Sequence, residues 1–214
     1  MQSDMHLEAL FAAKPVPFGP RGAPSSIQKQ AVKALHVNTD GTDEDEQGNK
    51  KLHGGPEKVL HQYSHNGYKT LSQAFPQNTF SAGTIGENLL VAGMDDSNVY
   101  IGDVYKMGSV VVQVSAPRAP CNKISHRYEI KSLDRFVGLN GITGWYYRVI
   151  ETGVLQVGDP VMLLSRPQQT VSVAALMTAV YDKGLPDKAA EYVTLEVLDD
   201  EWREKCERVI SRAS

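Results

Sequence analysis

Apolar residues follow two different rhythms along this chain. Between residues 99 and 166 they alternate with polar ones in short runs, and beyond 167 they recur every third or fourth position. The run VYIGDVYKMGSVVVQVS (99–115) is β-branched and aromatic, with breaks at Gly102-Asp103 and Gly108, and predicts strand, turn, strand. The grammar repeats over 144–166. There WYYRVI, VLQV and VMLLS are separated by Glu151-Thr152-Gly153 and Gly158-Asp159-Pro160, which predicts three short strands with tight connections. Residues 7–13 predict an entering strand, and the prolines and glycines from Pro15 to Pro24 predict a loop, because proline fixes φ and removes an amide donor. Short strands at this spacing predict a mainly β fold of barrel or sandwich type. After Pro167 the period changes. Val173, Leu176, Met177 and Val180 share one helical face behind a capping Ser172, and Pro186-Asp187 start a second helix. Trp202, Cys206, Val209 and Ile210 line a third, capped by Asp199 or Asp200. This divides the chain into a β domain, 1–167, and a C-terminal helical extension, 168–214.

Composition narrows the function. Hydrophobic residues are 41% and charged residues 22% of 214, an ordinary globular balance. A net charge of −3 provides no field for a nucleic-acid backbone, so nucleic-acid binding is not expected. No apolar run reaches the roughly 18 residues that span a bilayer, and Asp4 and Glu8 stand where a secretory signal would be basic. Two cysteines are too few for a disulfide framework. The expectation is a cytoplasmic protein without a membrane partner. The acidic run over 40–46 reads as a solvated loop.

The two cysteines differ in setting. Cys206 falls on the apolar stripe of a predicted helix, where a thiol is a small inert hydrophobe. Cys121 stands in SAPRAPCNKISHRY (115–128), directly after a predicted strand. Pro117 and Pro120 stiffen the backbone, and Arg118, Lys123, His126 and Arg127 surround the thiol with cations. Cations favour thiolate, the form that attacks electrophiles or binds soft metals, although a surface cysteine in a basic loop has the same neighbours. A second constellation, His53-Gly54-Gly55 between Lys51 and Lys58, suits close backbone approach to an anion or a plain turn equally well. A third, GTIGENL (83–89), sets two glycines before Glu87 and Asn88. His61 and His65 have the i, i+4 spacing of a helical metal pair, but no nearby third ligand completes a zinc site, and they are set aside. Walker-type, dinucleotide and GxSxG motifs are absent from the sequence.

Taken in order, SSIQK (25–29), KKLHGGPEK (50–58), GENL (86–89), VYIGD (99–103), QVSAPRAPC (113–121) and GWYYRVIETG (144–153) resemble the MOSC domain family, named for the C-terminal domain of molybdenum cofactor sulfurase. The resemblance is closest to the YiiM-like branch of stand-alone proteins. It implies a MOSC-type β-barrel with a pocket for the molybdenum cofactor, and places Cys121 on the metal. Arg118 and His53 would join Cys121 as catalytic residues, with His53 as proton donor. Lys29, Lys58, Lys123 and Arg148 would hold the phosphate, the pterin or the substrate; Gly54 and Gly55 would admit the cofactor, and Glu87 and Asn88 would complete the pocket. The implied activity is reduction of N-hydroxylated compounds, such as hydroxylaminopurines, amidoximes or hydroxylamines, to amines. With no cluster-binding cysteine set or flavin fingerprint, a separate flavin or iron–sulfur reductase would supply electrons. Two other readings use the same residues: a non-catalytic carrier of the cofactor or of sulfur, and a module binding another anion.

Overall fold

A computed structural model describes residues 5–49 and 54–213. The strands, in chain order, are β1 (Leu7–Ala12), β2 (Val16–Phe18), β3 (Ala23–Ser25), β4 (Gln30–Val32), β5 (Ala34–Val37) and β6 (Leu60–Tyr63). They continue as β7 (Leu89–Val91), β8 (Val104–Met107), β9 (Val110–Pro117), β10 (Trp145–Glu151), β11 (Gly153–Gln156) and β12 (Val161–Ser165). Among the described residues, eight of them form one mixed sheet in the order β12-β8-β9-β10-β6-β7-β1-β4. Only β6 and β7 run parallel within it.

The expected barrel is corrected by this order: the sheet is open, with β12 and β4 as its ends. The physical reason lies in β11. Instead of continuing the pairing of β10, it leaves to form a separate ribbon with β5, Gly153 opposite Val37 and Gln156 opposite Ala34. The sheet does curl. Leu7 N donates to Asp159 O (2.9 Å) and Val161 N to Met5 O (2.8 Å), so the entry of β1 lies against the entry of β12 through an isolated bridge without a ladder. The proline-rich stretch is likewise more ordered than a loop: β2 and β3 pair as a two-stranded hairpin, where the lost proline donors face no neighbouring strand.

The helices are α1 (His65–Ala74), α2 (Lys123–Tyr128), α3 (Leu133–Leu139), α4 (Val173–Val180), α5 (Pro186–Tyr192) and α6 (Asp200–Ala213). Ser172 caps α4 through Ala175 N (3.1 Å), and Asp199 Oδ1 accepts from Trp202 N (3.1 Å) at the start of α6. Both agree with the sequence pattern. The last three helices share one core with the sheet: Leu176, Met177, Trp202 and Cys206 pack in the same buried cluster as Leu35, Val112, Trp145 and Tyr147. Burying an indole such as Trp202 contributes roughly 4–6 kcal/mol before ordering costs, so α6 is a wall of this core. A second cluster, around Tyr63, Tyr68, Leu71, Phe80 and Ile124, lies under α1, α2 and α3.

Two buried carboxylates fasten the frame. Asp103, fully buried, receives Arg166 Nε on Oδ1 (2.9 Å) and Arg166 Nη2 on Oδ2 (2.7 Å), with Tyr105 Oη also donating (3.0 Å). Asp96 Oδ1 accepts from the backbone of Thr143 (3.0 Å) and Gly144 (2.7 Å), fixing the turn into β10.

Candidate functional site

Strand β9 ends at Pro117, and the chain continues through Arg118, Ala119 and Pro120 to Cys121, just ahead of α2. Arg118 N donates to Gly144 O (2.9 Å), which ties this loop to the turn before β10. Cys121 is partly exposed and lines a cleft of about 230 Å³. The β2–β3 hairpin, residues 47–49 and the Gly86–Asn88 turn supply other walls. Its buried part is made by His61 and Tyr146, which face each other as register partners on β6 and β10.

Four cations and one carboxylate line this cleft: Lys29, Lys58, Arg118 and Lys123 against Asp45. In a chain of net charge −3 that is a local reversal of sign, suited to an anion. Lys29 is buried and bonded to Asp45 Oδ1. Burial still holds its ammonium below the usual lysine range, and the attraction of Asp45 offsets this only in part. Asp45 Oδ2 accepts from Asn88 Nδ2 (3.0 Å), and Asn88 Oδ1 accepts from His61 N (3.1 Å). One continuous network therefore runs from Lys29 to the backbone of His61. Lys58 pairs with Glu201 of α6, and Lys123 donates to Phe18 O (3.0 Å) and Ala23 O (3.3 Å), clamping the hairpin. Among the described residues, no carboxylate lies within ion-pair reach of Arg118.

His61 is the residue whose role the sequence concealed. Both ring nitrogens are buried and neither closes a hydrogen bond of good geometry, although the backbones of Gly86 and Thr143 lie close enough to act on the ring. Burial first, and the positive charge of Arg118 second, push its pKa well below the usual histidine range, so the ring is neutral. A neutral imidazole offers one donor and one acceptor, and leaving both unmade in a buried place costs about 1–3 kcal/mol each unless a ligand or water meets them. Gly144 packs against this ring. At φ +68 its added Cβ would lie 2.2 Å from Gln62 O and 2.8 Å from His61 Nε2. Gly144→Ala is expected to cost more than about 2 kcal/mol, read as a drop in Tm, because backbone cannot yield as a side chain does.

The MOSC domain profile matches residues 49–162, more than half of the chain. Protein YiiM of Escherichia coli (strain K12) is 38% identical over 160 residues, 73% of this chain and 71% of that protein. The chain belongs to the MOSC domain family. A Gibberella moniliformis protein named "Reductase" is 40% identical over 125 residues, 56% of this chain but only 22% of its own length. The crystal structure of YiiM from Geobacillus stearothermophilus shares the fold, with a TM-score of 0.79, 24% identity, and coverage of 96% of this chain and 99% of that one.

In this MOSC chain, Lys29, Lys58, Asn88, Arg118, Cys121 and Lys123 come together on the cleft. Others lie elsewhere. Glu87 is fully buried, where its carboxylate accepts from Tyr68 Oη, Gly83 N (2.6 Å) and Ile85 N (3.2 Å) and organises its own turn. Arg148 points to Glu57 (2.7 Å), Val197 O (3.0 Å) and Gln113 Oε1 (3.3 Å), holding the residues before α6 rather than the cleft. Gly55 borders a different, acidic recess with Asp40 and Thr42, and Gly54 is not on the cleft wall. His53 falls outside the described residues. The two histidines set aside share no helix: His61 is on β6, while His65 opens α1 and pairs with Glu8 (2.5 Å). Cys206 is buried on α6, and burial pushes its thiol up.

Proposed function

We propose that the cleft binds the molybdenum cofactor, with Cys121 as the protein ligand to the metal, and that the protein reduces N-hydroxylated compounds to amines. The observation that carries this reading is one thiol, four cations and an unsatisfied buried imidazole lining a single cleft. The donor set fits the group. Among the described residues, no three His, Cys, Asp or Glu side chains gather to hold a bare metal ion. A metal that brings its own soft dithiolene sulfurs needs only one protein thiolate, and Cys121, partly exposed on the cleft, would be it. The family membership and the relative named as a reductase support the same reading.

When bound, the cofactor supplies the two-electron redox change that N–O cleavage requires. The chain's part is binding, orientation and protons. Arg118 and Lys123 meet the cofactor's phosphate, with charge-assisted bonds that a neutral site could not match. His61 satisfies its two ring nitrogens on the pterin or the substrate. Cleavage of R–NHOH consumes two electrons and two protons and releases R–NH2 and water. Lys29, on the cleft wall and held there by Asp45, is the proton-bearing group assigned to deliver one of these protons. A separate flavin or iron–sulfur reductase returns the electrons.

Protein from a host that makes the cofactor is expected to carry one molybdenum and one pterin per chain. With reduced viologen it should convert benzamidoxime and 6-hydroxylaminopurine to their amines. Cys121→Ser should lose metal and turnover by more than about a hundredfold, beyond the 10–100-fold typical of outer-shell changes, with an unchanged circular dichroism spectrum and Tm. Metal retained by the serine variant would refute the ligand assignment. Loaded protein without turnover on either substrate would favour the carrier reading.

A further inference from the structure

A second depression, of about 250 Å³, lies on the far side of the cysteine loop. Its floor is apolar: Met177 and Val180 of α4, with Trp202 and Val209 of α6. Ala119 and Pro120 form one wall, so two residues face this groove and the next one, Cys121, faces the cleft. Lys205, Arg208 and Arg212 line it as well, all on α6 and at helical spacing that sets them on one side. Lys205 lies over the Trp202 ring (4.2 Å) and shares Glu201 with Lys58 of the cleft. Groove and cleft are thus joined twice, through the Ala119–Pro120–Cys121 backbone and through Glu201.

We infer that this groove seats an acidic electron-carrier protein that reduces the cleft. The inference rests on the reductase reading above and adds the place and charge of the donor. Three cations around a small apolar floor, on a chain that is acidic as a whole, complement a carrier with a negative rim. A shallow groove also matches the small, transient interfaces of electron-transfer encounters, below about 1,200 Å². Electron transfer weakens steeply with distance, and a carrier bound against Pro120 sits one peptide bond from Cys121. The balance closes: the reduced flavin or iron–sulfur carrier loses two electrons in total, solvent gives two protons, and R–NHOH becomes R–NH2 and water.

The test uses the full chain with a bacterial flavodoxin and a plant-type ferredoxin, both acidic, and a basic cytochrome c as counter-probe. Direct binding, measured by titration calorimetry and independent of turnover, is expected for an acidic carrier, to weaken as salt is raised, and to be absent for the cytochrome. Arg208→Glu with Arg212→Glu should weaken binding at least about tenfold and slow carrier-driven turnover by a similar factor, while viologen-driven turnover stays as in the wild type. The milder pair Arg208→Gln with Arg212→Gln should give a smaller loss in the same direction, with Tm unchanged. Neither acidic carrier binding, or equal binding after charge reversal, would overturn the inference. Absence of viologen-driven turnover in the wild type would instead strike the reductase reading, and the binding arm would still decide the groove.

Discussion

Asp96→Asn is expected to stabilise the protein above neutral pH and to flatten its stability profile between pH 4 and 7. Asp96 lies buried beneath the turn into β10, and its pKa is pushed up from 3.8 to about 7. Burial is the largest cause, and it overrides the backbone amides of Gly144, Asp96 and Thr143, which favour the charged form. A carboxyl whose folded pKa is raised contributes stability that is fully present below the unfolded value. That stability is lost as pH rises through the folded value. A shift of about three units corresponds to roughly 4 kcal/mol as an upper bound. Asparagine keeps Oδ1 for the Thr143 and Gly144 amides, and its Nδ2 can donate to Ser64 Oγ, now 3.4 Å from Asp96 Oδ2. At this chain length each kcal/mol moves Tm by about 2–4 °C. Thermal melts of both proteins across pH 4 to 8 would check this; a variant that keeps the wild-type slope would refute it.

Arg166→Met should be severely destabilising, by about 3 kcal/mol or more, because it strands the Asp103 carboxylate where no water reaches. The guanidinium grips both carboxylate oxygens, stacks over the Tyr100 ring at 4.4 Å and donates to Asn98 O (3.1 Å). Its own side chain is 26% exposed, which places the loss at the lower end of the range for buried pairs. The diagnostic is the double change. Adding Asp103→Asn removes the stranded charge and should return more than half of the loss in urea denaturation, a coupling that an ordinary surface pair would not show. A single variant losing less than about 1 kcal/mol would mean the pair acts as a surface one.

Local signals carried the sequence reading furthest. The alternation in 99–115 and 144–166 marked β8, β9, β10 and β12 because a pleated strand writes a period of two into its own residues. The capping residues of α4 and α6 were legible for the same reason. Which strand pairs with which is a long-range matter: nothing near VLQV says that it leaves β10 for β5, and that departure opens the expected barrel. The site divides similarly. Prolines, cations and a thiol packed into the eleven residues from Pro117 to Arg127 made the Cys121 loop visible. The i, i+4 spacing of His61 and His65 looks the same whether or not a helix boundary falls between them; here it falls at Ser64, the cap of α1, so the spacing hid that His61 lies on a strand. Arg148 and Glu87 have the chemistry of ligand-binding groups, but Glu57 and Val197 claim the first, and the backbone of 83–85 claims the second.

The contrast between a half-open thiol and a sealed one gives the molecule a built-in reporter. A maleimide or iodoacetamide added to the native chain meets Cys121 in the cleft, while Cys206 is shielded by α6 and raised in pKa. Mass spectrometry would then count a single adduct, and anything occupying the cleft would register as protection of that one sulfur.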